Sequence, residues 1–196
     1  MTEKKLGRTL SERKRNDILE TAHRLFNQFG FNYIGIDRII LESKTAKMTF
    51  YRNYPSKENL MFACIEYEIE KLKESLLIAI EKASDEPFGR IKAIYEWHIQ
   101  KNDESTNGTL LTKAVVELKN TNFDATKQQI DEYYDWKFNL ISENLNNASQ
   151  YLFSERTTKI FFSLLNGILL PERNTSLQHV PSWHELQDFL KKNTII

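Results

Sequence analysis

The sequence is poor in residues that break or cross-link a chain. Its 196 residues include 6 glycines, 4 prolines and a single cysteine, Cys64. So few turn-forming residues exclude an all-β sandwich or barrel, in which a turn follows every short strand. One cysteine forms no internal disulfide and no multi-cysteine zinc site. Its apolar neighbours Ala63 and Ile65 favour a core position over a redox sensor.

Long hydrophobic runs are also lacking. No segment approaches the roughly 18 apolar residues that a membrane-spanning helix needs, and the opening MTEKKLGRTL has no apolar stretch typical of a signal peptide. We therefore expect a cytoplasmic protein with no membrane partner. With 40% hydrophobic and 28% charged residues, the chain is long enough to bury a sizeable core.

The net charge is zero, but its distribution is uneven. Residues 1–57 hold 12 Lys and Arg against 6 Asp and Glu, which leaves 15 against 21 in residues 58–196. A basic first third joined to an acidic remainder indicates a head that binds a polyanion and a body with another role. Taken alone, the asymmetry is equally compatible with a chance fluctuation.

Apolar residues recur at helical spacing along most of the chain. The first helix is expected from Ser11, as N-cap, to Phe29, with Gly30 as C-cap. Two short helices follow at 36–43 and 46–53, and Ser56 caps a long helix over 57–83. Further amphipathic segments are expected at 88–102, 108–119, 125–147, 154–170 and 182–192. The pattern predicts an all-α fold of about nine helices and no convincing strand.

The first third carries an ordered set of residues that is specific. It reads Ile18-Leu19-x-x-Ala22-x-x-Leu25-Phe26-x-x-x-Gly30, then Ile36-x-x-Ile39, then Thr49-Phe50-Tyr51-x-x-Tyr54-Pro55-Ser56-Lys57-Glu58-x-Leu60. Over about residues 11–60 the chain resembles the DNA-binding domain of TetR-family transcriptional regulators. The resemblance implies a three-helix helix-turn-helix domain over 1–57, a connecting helix over 58–83, and a helical effector-binding and dimerisation domain over 84–196. In that family the helix at 46–53 enters the DNA major groove.

The residue chemistry of that short helix agrees with the implied role. Base edges are read by short hydrogen-bonding or apolar side chains, and phosphates are held by cations and hydroxyls. By resemblance Tyr51 and Lys57 hold the DNA backbone, whereas Phe50 and Tyr54 are expected to face the core. The candidate DNA-binding residues are Thr45, Lys47, Met48, Thr49, Tyr51, Arg52, Asn53 and Lys57.

The turn before this helix departs from the family pattern. Lys44 and Ala46 replace the usual glycine and N-capping serine, and Met48 replaces a glycine of the recognition helix. A non-glycine residue in a left-handed turn costs on the order of 1 kcal/mol. Thr45 is the alternative N-cap if the helix starts one residue early. Met48 is expected to extend an apolar side chain toward the groove, within reach of a thymine methyl.

Aromatic residues are frequent in the remainder of the chain. We expect an effector site for an apolar or aromatic molecule, with an ordinary hydrophobic core as the alternative explanation for each of its candidate residues, Tyr95, His98, Tyr133 and Trp136. The run over 160–170 is apolar around most of a helix. By resemblance it belongs to a dimer seam with Phe161, Leu164, Leu165 and Ile168, although a helix buried within one subunit explains the same pattern.

Motifs for catalysis or metal binding are weak. The pair Glu20-x-x-His23 has the spacing of di-iron bundles but no second copy, and His179 and His184 have no partners at ligand spacing. We therefore predict no enzyme, no cofactor and no metal site. The predicted function is that of a homodimeric transcriptional repressor. It binds a palindromic DNA operator and is released by a small-molecule effector. The alternatives are an all-helical interaction module without sequence-specific DNA binding and a metal-dependent helical-bundle enzyme.

Overall fold

The computed structural model describes residues 9–104, 108–148, 152–170 and 180–195. His179 lies outside these residues. The described chain forms an all-α fold of nine helices, as predicted, together with one pair of two-residue strands, and it contains no helix long and apolar enough to span a membrane. The elements are α1 (Leu10–Phe29), α2 (Ile36–Glu42), α3 (Lys47–Asn53), α4 (Lys57–Glu81), α5 (Gly89–Asp103), α6 (Leu110–Glu117), α7 (Asp124–Asn146), β1 (Leu152–Phe153), α8 (Glu155–Ile168), α9 (Trp183–Lys192) and β2 (Thr194–Ile195).

Helix α1 is closed at both ends by local chemistry. The Thr9 hydroxyl accepts a hydrogen bond from the Glu12 N–H, and the Glu12 carboxylate accepts one from the Thr9 N–H. This reciprocal capping box makes Thr9 the N-cap, so the prediction of Ser11 was wrong; the acidic residue three positions after Thr9 decides the start. Gly30 ends the helix with φ +83, as predicted. A Cβ at Gly30 would also lie 2.4 Å from a Glu117 carboxylate oxygen, so the Glu117 side chain would have to move, but the positive φ is what favours glycine here.

The turn between α2 and α3 has the left-handed residue that the sequence implies. Lys44 adopts φ +52, and Ala46 is the N-cap of α3 without a side-chain hydrogen bond. Thr45 does not take over the capping, because its hydroxyl pairs with that of Ser43 at 2.9 Å. Helix α3 therefore begins with N–H groups that have no side-chain cap. These groups can donate hydrogen bonds to solvent or to a bound anion.

Helix α4 joins the two parts of the chain. Ser56 caps it by accepting a hydrogen bond from the Asn59 N–H, as predicted. Its first turns pack on α1, and it then packs on α5, α6 and α7. Leu60, Cys64, Leu72 and Leu76 lie along its buried side, which makes one continuous core from head to body. Cys64 is wholly buried, as predicted.

The strands β1 and β2 pair antiparallel, with Leu152 opposite Ile195 and Phe153 opposite Thr194. The sequence analysis predicted no strand here, because two residues are too few to show an alternating pattern. The pairing places the residues after α9 beside the start of α8, where the Thr157 hydroxyl donates to the Asn193 carbonyl at 3.2 Å.

Candidate nucleic-acid interface and buried polar site

Helix α3 presents one apolar face to the core and one mixed face to solvent. Phe50 is fully buried and Tyr54 is 3% exposed, as predicted, which fixes the rotation of the helix against α1. Met48 is 87% exposed, and Lys47, Tyr51 and Arg52 are exposed beside it. The exposed face thus offers a flexible apolar chain, two cations and a phenol within about two turns, a set that suits contact with base edges and phosphates.

The remaining candidates for DNA contact are less free. Thr45 is buried in the turn against Ser43, so its side chain does not lie on the outer face. The Asn53 amide donates to the Thr49 carbonyl at 2.7 Å, and both residues are half-buried. Lys57 Nζ donates to the Phe31 carbonyl at 2.6 Å. Burial lowers the pKa of Lys57, while the Glu117 carboxylate opposes that shift.

Polar contacts join the head to α4 and α6. His23 Nε2 lies 2.6 Å from a Glu68 carboxylate oxygen, so His23 pairs with α4 rather than with Glu20. The Lys113 ammonium in α6 donates to the Asn27 carbonyl, and the Asn32 N–H donates to Glu117. Among the residues that the structure describes, no group of three or more His, Cys, Asp or Glu side chains could hold a metal ion.

The predicted effector residues fall into two places. Tyr133 and Trp136 stack on α7 with ring centroids 5.9 Å apart, and His98 is fully buried on α5. Tyr95 lies apart: its hydroxyl donates to the Pro181 carbonyl and its ring packs on Trp183. Tyr95 therefore holds the start of α9 against α5.

Lys137, which was not predicted as a site residue from the sequence, is fully buried in the body. Its ammonium donates to the Asn166 side-chain oxygen at 2.5 Å and lies 5.0 to 5.5 Å from the ring centroids of Tyr133, Tyr134 and Phe162. Burial lowers the pKa of Lys137 to about 7. A signal for it existed, because Lys137 stands at helical spacing on the same stripe as the buried Ile130, Tyr133 and Ile141.

His98 is close enough to Lys137 for the ammonium to affect its titration. Burial, and then the charge of Lys137, lower the pKa of His98 to about 3, so the imidazole is neutral. Its Nδ1 lies 2.7 Å from the Ile94 carbonyl oxygen, which can only accept, so Nδ1 carries the proton. The other nitrogen, Nε2, is buried and has no hydrogen-bond partner.

Helix α8 buries most of the residues predicted for a dimer seam. Phe161 and Leu165 are fully buried and Ile168 is 4% exposed, all within the subunit's own core. These three belong to the buried core of the subunit, in which α8 packs on α5 and α7, so they are unavailable to a partner. Leu164 is partly exposed, and Ile160 is 45% exposed on the outer side of the helix. A Cβ at Gly167 would meet nothing within 4 Å, so this position is open as well.

Residues 18–64 match the family described as "Bacterial regulatory proteins, tetR family". A curated relative, the uncharacterized HTH-type transcriptional regulator YuxN of Bacillus subtilis (strain 168), is 37% identical over 70 residues. That match covers 36% of this chain and only 24% of the relative, so the alignment spans about a quarter of the relative's length.

Solved structures extend the likeness to the whole fold. The TetR-family regulator from Cytophaga hutchinsonii superposes with a TM-score of 0.74 at 19% identity, covering 97% of this chain and 99% of that one. A putative transcriptional regulator from Saccharomonospora viridis in complex with choline gives a TM-score of 0.71 at 18% identity, covering 94% and 99%. The chain therefore resembles TetR-family transcriptional regulators, with their helix-turn-helix segment at residues 18–64 and their helical fold throughout.

Proposed function

We propose that the protein is a homodimeric, ligand-responsive transcription factor that represses by binding a palindromic DNA operator. Residues 1–57 act as the DNA-binding domain, 58–83 as the connecting helix, and 84–196 as the effector-binding and dimerisation domain. The observation that carries the proposal is the outer face of α3, where Met48 is 87% exposed while Phe50 on the opposite side is fully buried. Exposing a large apolar side chain costs hydration free energy unless a partner covers it.

Within this proposal the residues of α3 divide by role. Lys47, Met48 and Thr49 occupy the first turn and read base edges, as the first residues of a recognition helix do. Tyr51, Arg52 and Lys57 hold phosphates on either side. Asn53 stabilises the helix through Thr49, and Thr45 shapes the turn.

Dimerisation rests on the outer side of α8. Because Phe161, Leu165 and Ile168 fill the subunit's core, the seam that we propose consists of Ile160, Leu164 and the open surface at Gly167. A glycine at this position lets two helices approach closely. Two subunits are needed because one head reads only a half-site.

Release by a small molecule follows from the contacts between body and head. The regulator from Saccharomonospora viridis is solved with choline, which supports a small organic effector for this fold. In this chain α4 runs from Lys57 at the head to the middle of the body, where Lys73 Nζ lies 5.0 Å from the Trp136 ring centroid. An effector that separates α7 from α4 would tilt α4 and change the spacing of the two heads. Half-sites about 34 Å apart tolerate little change in that spacing.

Selection of duplexes from a random pool by the full chain tests the proposal. We expect an enriched palindrome whose affinity falls steeply as salt rises, because bound phosphates release counterions. Competition with random duplex at the same salt concentration is the control. Equal affinity for the enriched and random duplexes would contradict the proposal and favour an interaction module.

A further inference from the structure

Lys137 on α7 and His98 on α5 are fully buried polar residues on two helices that pack together, and each lacks part of its hydrogen-bonding complement. A lysine ammonium has three donors, and the described residues supply one hydrogen-bond acceptor, Asn166, and no carboxylate within ion-pair distance. Buried charges in proteins are ordinarily paired, because desolvation otherwise costs several kcal/mol. When it is protonated, Lys137 is therefore a buried cation for which the described residues supply no counter-ion.

His98 lacks the opposite kind of partner. Its Nδ1 is the donor to Ile94, which leaves Nε2 as a lone-pair acceptor that no donor meets. Buried acceptors without partners are uncommon in native structures, and each one calls for an explanation. A ligand that completes both groups would supply an anionic oxygen to Lys137 and a hydrogen-bond donor to His98.

The surroundings of the pair are aromatic. The rings of Tyr133, Tyr134 and Phe162 surround the ammonium, and Trp97 meets the His98 ring edge-on with centroids 4.8 Å apart. Flat apolar ligands are held well between such rings. A cationic ligand is disfavoured there, because Lys137 would repel it at low dielectric.

We propose that Lys137 and His98 are the polar end of an effector site for a small hydroxylated aromatic acid. The carboxylate pairs with the Lys137 ammonium, the hydroxyl donates to His98 Nε2, and the ring lies among Tyr133, Tyr134 and Phe162. This inference rests on the proposed ligand-responsive function and names its effector class.

Entry of such a ligand requires movement, because Lys137 and His98 are both fully buried. Tyr134 and Trp136 are partly exposed and lie at the outer side of the site. Trp136 is covered by Lys73 of α4. A ligand that enters past Trp136 displaces the Lys73 side chain, which connects occupancy of the site with α4, the helix that leads to the head.

Isothermal titration of the full chain without DNA tests the site. The probes are 2-hydroxybenzoate, benzoate, 2-methoxybenzoate, 2-hydroxybenzyl alcohol and benzylamine. We expect 2-hydroxybenzoate to bind most tightly. Loss of its carboxylate or of its donor should weaken binding roughly 10- to 100-fold, the range for a lost charge-assisted hydrogen bond. Benzylamine should not bind. Equal binding of all the probes, or none, would overturn the proposal.

Variants locate the bound probe. Lys137→Met keeps the length and apolar surroundings of the side chain and should weaken 2-hydroxybenzoate by at least about tenfold. Lys92→Met makes the same replacement at an exposed position of α5 and should leave the affinity unchanged. Nitrogen chemical shifts of His98 in the wild-type chain give a readout that needs no variant, because a donor to Nε2 moves that resonance. Unchanged shifts on saturation, or equal affinity in Lys137→Met, would overturn the assignment.

Operator binding by the same samples separates the two proposals. A probe that binds through Lys137 and lowers operator affinity supports both. A probe that binds through Lys137 but leaves operator affinity unchanged supports the site and contradicts the proposed release. Operator binding that responds to no probe, with no binding in the titration, overturns the site and leaves DNA recognition standing.

Discussion

The carboxylate of Glu117, the last residue of α6, accepts a hydrogen bond at 2.8 Å from the backbone N–H of Asn32, just after α1. One turn earlier on α6, the Lys113 ammonium donates to the carbonyl of Asn27, near the end of α1. A single short helix of the body thus holds the end of α1 with one charged acceptor and one charged donor. Charge-assisted hydrogen bonds are stronger than neutral ones, so these two contacts tie α6 to the end of α1 and to the segment that leads to α2.

Replacing Glu117 with Ala should loosen this junction. We expect the free energy of unfolding to fall by about 1 kcal/mol and exchange of the Asn32 amide hydrogen to accelerate by roughly tenfold, because its acceptor is lost. Hydrogen exchange followed by NMR measures both the local and the global effect. The control is Glu96→Ala, which removes an exposed carboxylate paired with Lys92. Unchanged exchange at Asn32 in Glu117→Ala would show that the contact does not hold the head.

Lys44 is a position where glycine should stabilise the fold. Its φ of +52 lies in the left-handed region, which a side chain disfavours by on the order of 1 kcal/mol. Lys44→Gly is expected to raise the free energy of unfolding by up to that amount in a urea titration. Lys82→Gly is the matched control, because Lys82 ends α4 with φ −83 and gains nothing from glycine. A lower free energy of unfolding in Lys44→Gly than in the wild type would contradict the backbone strain inferred at Lys44.

Two lysines of the proposed DNA surface should differ in their effects. Lys57→Ala is expected to weaken binding to all duplexes alike and to lower the salt dependence, because its role is to hold a phosphate. Lys47→Ala and Thr49→Ala should also change the ranking of operator variants by about 1 to 3 kcal/mol per base pair read. Affinity measurements on a panel of single-base variants decide this. An unchanged ranking in both variants would remove the first turn of α3 from base recognition.

The stability of the wild-type chain relative to Lys137→Met should rise with pH above about 7. Burial lowers the pKa of Lys137 from 10.5 to about 7, so between these values the unfolded chain holds a proton that the folded chain has released. Stability then increases with pH across that window. The nearby groups do not titrate against it: the pKa of His98 is about 3, and burial raises the pKa of Tyr133 and Tyr134 above the ordinary value.

Urea titrations of both chains at pH 7 and pH 9 measure this difference. Lys92→Met, which alters an exposed lysine, should show no such change relative to the wild type. If the wild-type and Lys137→Met chains change in parallel between the two pH values, Lys137 retains an ordinary pKa.

The outer face of α8 can be tested by charge. Ile160→Glu, at a side chain 45% exposed, should convert a dimer into monomers in sedimentation at micromolar concentration, because a carboxylate in an apolar seam is desolvated without a partner. Val116→Glu places the same charge at another exposed apolar residue, on α6, and should leave the assembly unchanged. A wild-type chain that sediments as a monomer would contradict the dimer itself.

The head was the part most open to sequence reasoning. Helix caps and buried helix faces depend on neighbours a few residues away, so the sequence predicted them correctly here and in the first turns of α4. The caps are Gly30 and Ser56, and the buried residues are Phe50 and Cys64. The cap of α1 is Thr9 and not the predicted Ser11, because the reciprocal hydrogen bonds with Glu12 form at Thr9. Local chemistry was sufficient there.

The body depended on contacts between distant segments. Apolar spacing on α8 identified a helix that buries much of its surface, but whether Phe161 faces its own subunit or a partner depends on where α5 and α7 lie. Lys137 was overlooked because a lysine is ordinarily exposed, although its helical spacing with the buried Ile130 and Tyr133 indicated an inward position. Its hydrogen bond to Asn166 of α8 could not be predicted from that spacing. Tyr95 and Tyr133 were both predicted as effector residues because they are aromatic. Tyr95 instead packs on Trp183 of α9, whereas Tyr133 stacks with Trp136 on α7.

The burial of Cys64 has a practical consequence. It is the sole thiol of the chain, it is fully buried, and burial raises its pKa, so little of the reactive thiolate forms at neutral pH. In a Met48→Cys variant, the new exposed thiol would then be alkylated selectively, while the buried Cys64 stays unmodified. In the proposed dimer, a spin label at this position of α3 in each subunit would report the distance between the two heads, with and without the proposed effector.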